Sequence, residues 1–133
     1  MTTDKNEGIF PRGQQAPSEY FTGAAWVLSL VPTDETGTFT IGNVEFEPGC
    51  RNNWHTHPRG QILLVTDGAG WYQERGKTAH ALTKGDVVVI PSGVEHWHGA
   101  TRDSALTHIA ITNLGEKGPV TWLEPVTDEE YGN

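Results

Sequence analysis

The sequence predicts an all-β domain, a small barrel or jelly roll of two antiparallel sheets, on three observations. Short runs of β-branched and aromatic residues recur along the chain, turns rich in glycine, proline and acidic residues separate them, and almost no stretch carries a helical period. In order, the runs are AAWVLSL, TFTIGNVEFE, QILLVT, GWYQER, AHAL, DVVVI, VEHWH and LTHIAIT. Between them stand PTDETG, TDGAG, RGKT, TKGD and PSG, and the 16 glycines suit that many reversals. Residues 1–20 are polar, carry Pro11 and Pro17, and read as an N-terminal arm. Residues 21–125 form the expected barrel and residues 126–133 a C-terminal tail. The tail holds the helix signal, Thr127 with Glu130 three residues on, a capping box over TDEEY.

Composition narrows the function classes. A chain of 133 residues is one domain, and 35% hydrophobic with 20% charged residues is globular rather than disordered. Net charge is -8 with no lysine or arginine cluster, which argues against nucleic acid and anionic membrane as partners. Cys50 is the only cysteine, so no intrachain disulfide is possible; it falls outside the histidine register and reads as a buried thiol. No basic-then-apolar leader pattern opens the sequence and the longest apolar run is too short to span a bilayer, so a cytoplasmic protein is expected.

The chemistry lies in the histidines. His55 and His57 stand two apart, as do His96 and His98, and in a strand such residues share a face. Gln61 follows a PRG bend and opens QILLVT, so it can face the same interior; His108 shares parity with Ala110 and Thr112 on a later run. His80, in TAHAL, has no partner at short range and is expected at the surface. Imidazole is the commonest nitrogen ligand for divalent transition metals, and an amide oxygen adds a neutral, harder donor. Trp54 and Trp97 alternate with these residues and should point away, into the second sheet or a subunit interface.

Two segments carry a resemblance. GCRNNWHTHPRGQILLVTDG, residues 49–68, is similar to the first cupin motif, and GDVVVIPSGVEH, residues 85–96, to the second. The second motif usually ends in asparagine, where this chain has Ala100. Over about Phe21 to Tyr131, WHTHPRGQ, GDVVVIPSGVEHWHGA, LTHIAI and VTWLEPVTDEEY resemble the small bacterial cupins that act as manganese-dependent hydroxynitrile lyases. The resemblance implies a cupin barrel, assembled as a homodimer or homotetramer, with manganese held by His55, His57, Gln61 and His96. It implies His108 close to the metal and engaged in proton transfer; His98, on the same strand face as His96, is expected as an auxiliary donor or a hydrogen-bonding neighbour. Such a ligand set also accepts iron, nickel or zinc.

Gln61 in place of a carboxylate leaves the ion's charge unreduced and departs from the two-histidine, one-carboxylate set of oxygen-activating iron enzymes. Three function classes follow. The first is a metal-dependent lyase that cleaves cyanohydrins reversibly, acting on a small-molecule substrate. The second is another metallocupin enzyme, a sugar-acid or lactone isomerase or ring-opening enzyme or a dioxygenase, for which Arg51 and Arg59 beside the first motif would supply positive charge. The third is a non-catalytic small-molecule binder.

Overall fold

A computed structural model describes residues 9–116 and 118–132. Twelve strands and two one-turn helices follow in order among them. They are β1 (Gln14–Gln15), β2 (Phe21–Thr22), β3 (Ala25–Val31), α1 (Thr33–Thr36), β4 (Phe39–Phe46), β5 (Arg51–Asn52) and β6 (His55–Thr56). Then come β7 (Gln61–Glu74), β8 (His80–Thr83), β9 (Val87–Ile90), β10 (His96–Ala100), β11 (Leu106–Asn113), β12 (Thr121–Trp122) and α2 (Asp128–Tyr131). Every named pairing is antiparallel. One sheet runs β1-β3-β4-β11-β7-β9; the other runs β2-β5-β10-β7-β8, with β6 joining β10 to β12. This is the two-sheet all-β architecture that the alternating runs predict.

The largest departure from the expected turns is at TDGAG. QILLVT and GWYQER are not separate strands: they are the two halves of β7, which pairs β11 and β9 in the first sheet and β10 and β8 in the second. Gly68 makes the passage possible. Its φ of 81° is left-handed, and a Cβ there would lie 2.0 Å from the Ala105 carbonyl oxygen. The register slips between Thr107 and His108 on the facing strand, so the paired strands bend and change sheets without a reversal. A second departure is PTDETG, which contains the helical turn α1, begun after Pro32 and stopped by left-handed Gly37.

Between the sheets, Phe46, Leu63, Val65, Ile90 and Leu106 form the main core, and Cys50 is buried with them. A second cluster lies on the far side of β10, where Trp54 and Trp97 pack against Val126 and Tyr131. The tryptophans thus point away from the histidines, as their alternation predicts, and the C-terminal segment covers them. The capping box of Thr127 and Glu130 forms and starts α2. Arg51 Nη2 donates to the Val126 carbonyl (2.9 Å) and to Asp128 (2.8 Å), and Tyr131 Oη donates to the Ala100 carbonyl (2.6 Å). Within the expected arm, Gln14–Gln15 pair with β3 and Arg12 contacts Glu45 and Glu47; residues 1–8 lie outside the described residues. No helix among the described residues is long and apolar enough to cross a membrane.

Candidate metal centre

Strand pairing, more than sequence neighbourhood, assembles the site. His55 on β6 and His96 on β10 are direct cross-strand partners, which sets their side chains beside each other on one face. Their ring centroids are 4.2 Å apart. His57 follows at the end of β6, with its ring 4.9 Å from that of His55 and 5.2 Å from that of His96. The PRG bend then turns on Gly60, at a φ of 85°, whose N–H closes onto the His57 carbonyl at 3.0 Å. The chain so enters β7 with Gln61 inward, directly opposite Thr112 on β11. His108 lies on the same face of β11, and His98 on that of β10. All six of these side chains are buried, whereas His80 is exposed.

Hydrogen bonds set the tautomers. His55 Nδ1 faces the Asn53 carbonyl (2.7 Å), His57 Nδ1 the Pro119 carbonyl (2.8 Å) and His96 Nδ1 the Val94 carbonyl (2.9 Å). A carbonyl only accepts, so each Nδ1 carries the proton and each Nε2 presents a lone pair. Gln61 Nε2 donates to Thr112 Oγ1 at 2.8 Å, which turns the amide oxygen the other way. Three of the resulting acceptors, His57 Nε2, His96 Nε2 and Gln61 Oε1, are buried without a hydrogen-bond partner in the chain. Leaving buried acceptors unsatisfied costs about 1–3 kcal/mol each, and a cation relieves that cost. Histidines whose second nitrogen is tied to a carbonyl are also the common form of metal-binding histidine. The donor set fits a divalent metal.

His98 poses a choice. One nitrogen each of His55, His96 and His98 lies within 4.8 Å of the others, so among the described residues that triad, which does not include His57, has the spacing of a metal site. Two observations favour His57 over His98 as the third imidazole. By ring position His98 is farther, at 5.6 Å from His55 and 5.8 Å from His96. Its nitrogens are also engaged: Nδ1 lies 3.2 Å from His108 Nε2, and the Asn52 amide nitrogen lies 3.3 Å from Nε2. Asn52 Oδ1 accepts from the His98 backbone N–H at 3.0 Å, which directs the amide NH2 at the ring. His98 and His108 thus form a linked pair beside the cluster of His55, His57 and His96.

Burial keeps all five imidazoles neutral. Desolvation is the first cause throughout: His55 and His98 lie well below the usual histidine value, His57 lies below it, and His96 and His108 are pushed down to about 4. For His55 and His98, the neighbouring imidazoles lower it further. Neutral imidazole is the state that binds metal and the state that accepts a proton.

His55, His57, His98, His108 and Gln61 open on a cavity of about 210 Å³, whose other walls include Phe21, Val44, Phe46, Ala110, Val120 and Trp122, while His96 lies behind this wall, fully buried. Thr40, Val44 and Phe46 of β4 and Ala110 and Thr112 of β11 line it, whereas Leu63 and Val65 belong to the main core. No Asp, Glu, Lys or Arg lines it among the described residues. Arg51 is turned toward Asp128 and the C-terminal segment, and Arg59 is exposed, so neither brings a positive charge to the cavity. Sequence reasoning passed over Asn52, the Pro119 carbonyl and the Trp122 wall. Trp122 reaches the site because β12 pairs β6 with Trp122 opposite His55, a neighbour about 67 residues away that no local pattern announces.

Known proteins place these features. A (R)-mandelonitrile lyase from Granulicella tundricola is 42% identical over 117 residues, covering 88% of this chain and 89% of its own. The crystal structure of a cupin-like protein from Thermotoga maritima superposes with a TM-score of 0.90 at 52% identity, over 94% of this chain and 95% of that one. A predicted oxalate decarboxylase from the same organism shares the fold, with a TM-score of 0.68 at 18% identity over 92% of this chain and all of that one. The family model for the cupin domain matches residues 42–112, the stretch from β4 to β11 that carries every histidine of the cluster, and the chain belongs to the cupin family.

Proposed function

We propose that the protein is a metal-dependent carbon–carbon lyase of the hydroxynitrile lyase type, which splits a neutral cyanohydrin into a carbonyl compound and hydrogen cyanide. The observation that carries this reading is a set of uncharged bare acceptors, Nε2 of His57 and His96 and Oε1 of Gln61, beside a cavity with no charged side chain among the described residues. Similarity to the Granulicella mandelonitrile lyase along most of both chains supports it.

In this reading His55, His57, His96 and Gln61 hold the ion, manganese first, with iron, nickel or zinc as alternatives. A divalent ion there supplies a Lewis acid that makes a substrate hydroxyl more acidic and stabilises negative charge on its oxygen. The apolar wall of Phe21, Val44, Phe46, Val120 and Trp122 receives the substrate's hydrocarbon portion and excludes water. His108 accepts the hydroxyl proton. Burial makes it a weaker base than an exposed imidazole, and its Nε2 lies 3.2 Å from His98 Nδ1, the neighbour that orients its ring. As the oxygen becomes a carbonyl, the carbon–carbon bond breaks and the nitrile carbon leaves with the bonding pair as cyanide. The histidine pair returns the proton to cyanide, so hydrogen cyanide and the aldehyde account for every atom. The reverse addition uses the same groups.

A sugar acid or other carboxylate would call for a guanidinium or ammonium partner, and the cavity has none among the described residues. The deciding experiment is benzaldehyde release from mandelonitrile by manganese-loaded protein, with His55→Ala as background. Release that requires both the metal and His55 supports the assignment. Absence of release from protein with metal bound stoichiometrically overturns it, in favour of another metallocupin reaction or of binding alone.

A further inference from the structure

The aromatic wall of the cavity stands on less chain than the rest of the barrel. Trp122 lies on β12 and Phe21 on β2, strands of two residues each, and β12 pairs with β6 and β2 with β5. Strands so short form few ladder hydrogen bonds, so side chains decide how firmly the wall stands. The Trp122 indole meets His55 at 4.8 Å between ring centroids and 40° between planes. It meets Tyr20 at 4.5 Å and 12°, a parallel stack. Trp122 and His55 line the cavity and Tyr20 does not, so Tyr20 backs the indole from outside. One buried residue anchors the stack. Asn53 donates from its backbone N–H to the Tyr20 carbonyl at 2.9 Å. Its side-chain NH2 donates to the carbonyls of Glu19 at 3.2 Å and Leu123 at 3.3 Å, which ties the chain before β2 to the chain after β12. Its own carbonyl accepts from His55 Nδ1, so the stack is fixed to the backbone that orients His55.

We propose that Tyr20 is a positioning residue that sets the size of the ligand: by stacking on Trp122 it keeps the cavity to a width that takes one aromatic ring and excludes a fused pair. Volume supports the limit. An apolar cavity of about 150 Å³ holds benzene, which is about 25 Å³ per carbon. In the present cavity of about 210 Å³ a single ring leaves about 60 Å³ for the polar head beside the histidines. The four further carbons of a fused second ring would need about 100 Å³ on the same scale. They enter only if a wall moves, and Trp122 is the wall that a side chain outside the cavity holds in place. That the ligand is a cyanohydrin rests on the lyase reading; the size limit and its dependence on Tyr20 do not.

The test compares the natural chain with Tyr20→Ala and Tyr20→Phe, each shown to be folded by circular dichroism. Benzyl alcohol and 2-naphthalenemethanol, which do not react, are titrated into the zinc-loaded protein by calorimetry. In parallel, kcat and KM are measured with manganese for mandelonitrile and for the cyanohydrin of 2-naphthaldehyde. The natural chain is expected to favour the single ring in both. Tyr20→Ala should reduce that preference by about 10-fold or more, through Kd and KM rather than kcat, and Tyr20→Phe, which keeps the ring, should retain it. In fluorine NMR of zinc-loaded protein carrying 5-fluorotryptophan, the Trp122 signal, identified by its loss in Trp122→Phe, should move in Tyr20→Ala while those of the other four tryptophans stay. A natural chain that binds both alcohols equally overturns the proposal, as does a folded Tyr20→Ala protein with an unchanged binding preference. A preference lost equally in Tyr20→Phe assigns the effect to the hydroxyl and overturns the stacking argument. If neither cyanohydrin is cleaved but the binding preference falls in Tyr20→Ala, the role of Tyr20 stands and the lyase reading fails.

Discussion

Thr112→Val tests whether one hydrogen bond fixes the identity of the fourth donor. Thr112 Oγ1 accepts from Gln61 Nε2 at 2.8 Å, and both side chains are more than nine-tenths buried. Valine keeps the shape and removes the acceptor. Gln61 is then free to rotate, and in half of its orientations the NH2 group rather than the carbonyl oxygen faces His57 and the cation position. Stranding a buried amide N–H costs about 1–3 kcal/mol. Loss of a partner that orients a ligand typically lowers metal affinity about 10–100-fold, equivalent to about 1.4–2.8 kcal/mol, so the two scales agree. Manganese affinity, read from the electron paramagnetic resonance of free ion during titration, should fall by that factor in Thr112→Val and recover in Thr112→Ser, which restores the hydroxyl. Unchanged affinity in a folded Thr112→Val protein would refute the assignment of Gln61 Oε1 as a donor. Failure of serine to restore it would locate the effect in packing instead.

Three further outcomes are expected. His96→Ala should abolish stoichiometric metal binding measured by elemental analysis, since it removes the buried Nε2 that lies directly across from His55. His108→Ala should retain metal and lose about 100-fold or more in mandelonitrile turnover, the usual contribution of a general base; full activity would remove it from the proton path. The metal-free protein should lose stability as pH falls. His96 and His108 are held down to about 4 in the folded chain against 6.5 for a free histidine, so the unfolded state binds more protons in that window. Stability is fully present above about pH 6.5 and declines toward pH 4, by roughly 3 kcal/mol per histidine. Denaturant midpoints at pH 7, 5.5 and 4.5 check the sign, and a midpoint that rises on acidification contradicts it.

What the sequence made legible is what depends on period. The i, i+2 spacing of His55 with His57 and of His96 with His98 places each pair on one strand face, and the structure turns both pairs inward with Trp54 and Trp97 behind them. Hidden from the sequence are the relations that depend on register between distant strands. Nothing near His57 signals that Pro119 supplies its carbonyl partner, and nothing near His98 signals that the amide of Asn52, on β5, will lie against its ring. TDGAG misleads for a related reason. Its glycines have the composition of a reversal, but Gly68 is required by the close approach of the Ala105 backbone within a strand that continues. Composition reports that a backbone needs freedom; only the facing strand decides whether it turns or crosses.

The site's electrostatics bear on why an amide stands beside its imidazoles. Every acceptor aimed at the cluster is neutral, and the cavity walls carry no formal charge among the described residues. A divalent ion in such a setting keeps its charge, and the group best able to offset it is a negatively charged oxygen on the substrate. A carboxylate at position 61 would neutralise part of that charge before the substrate arrived, strengthening metal binding and weakening the pull on the reacting oxygen. The fold holds the neutral arrangement at a cost: buried imidazoles and an amide are tied by carbonyls and a hydroxyl while leaving their inward atoms unsatisfied. Natural chains leave few buried acceptors bare, and three bare acceptors on neighbouring side chains of one cluster are what a bound cation would satisfy.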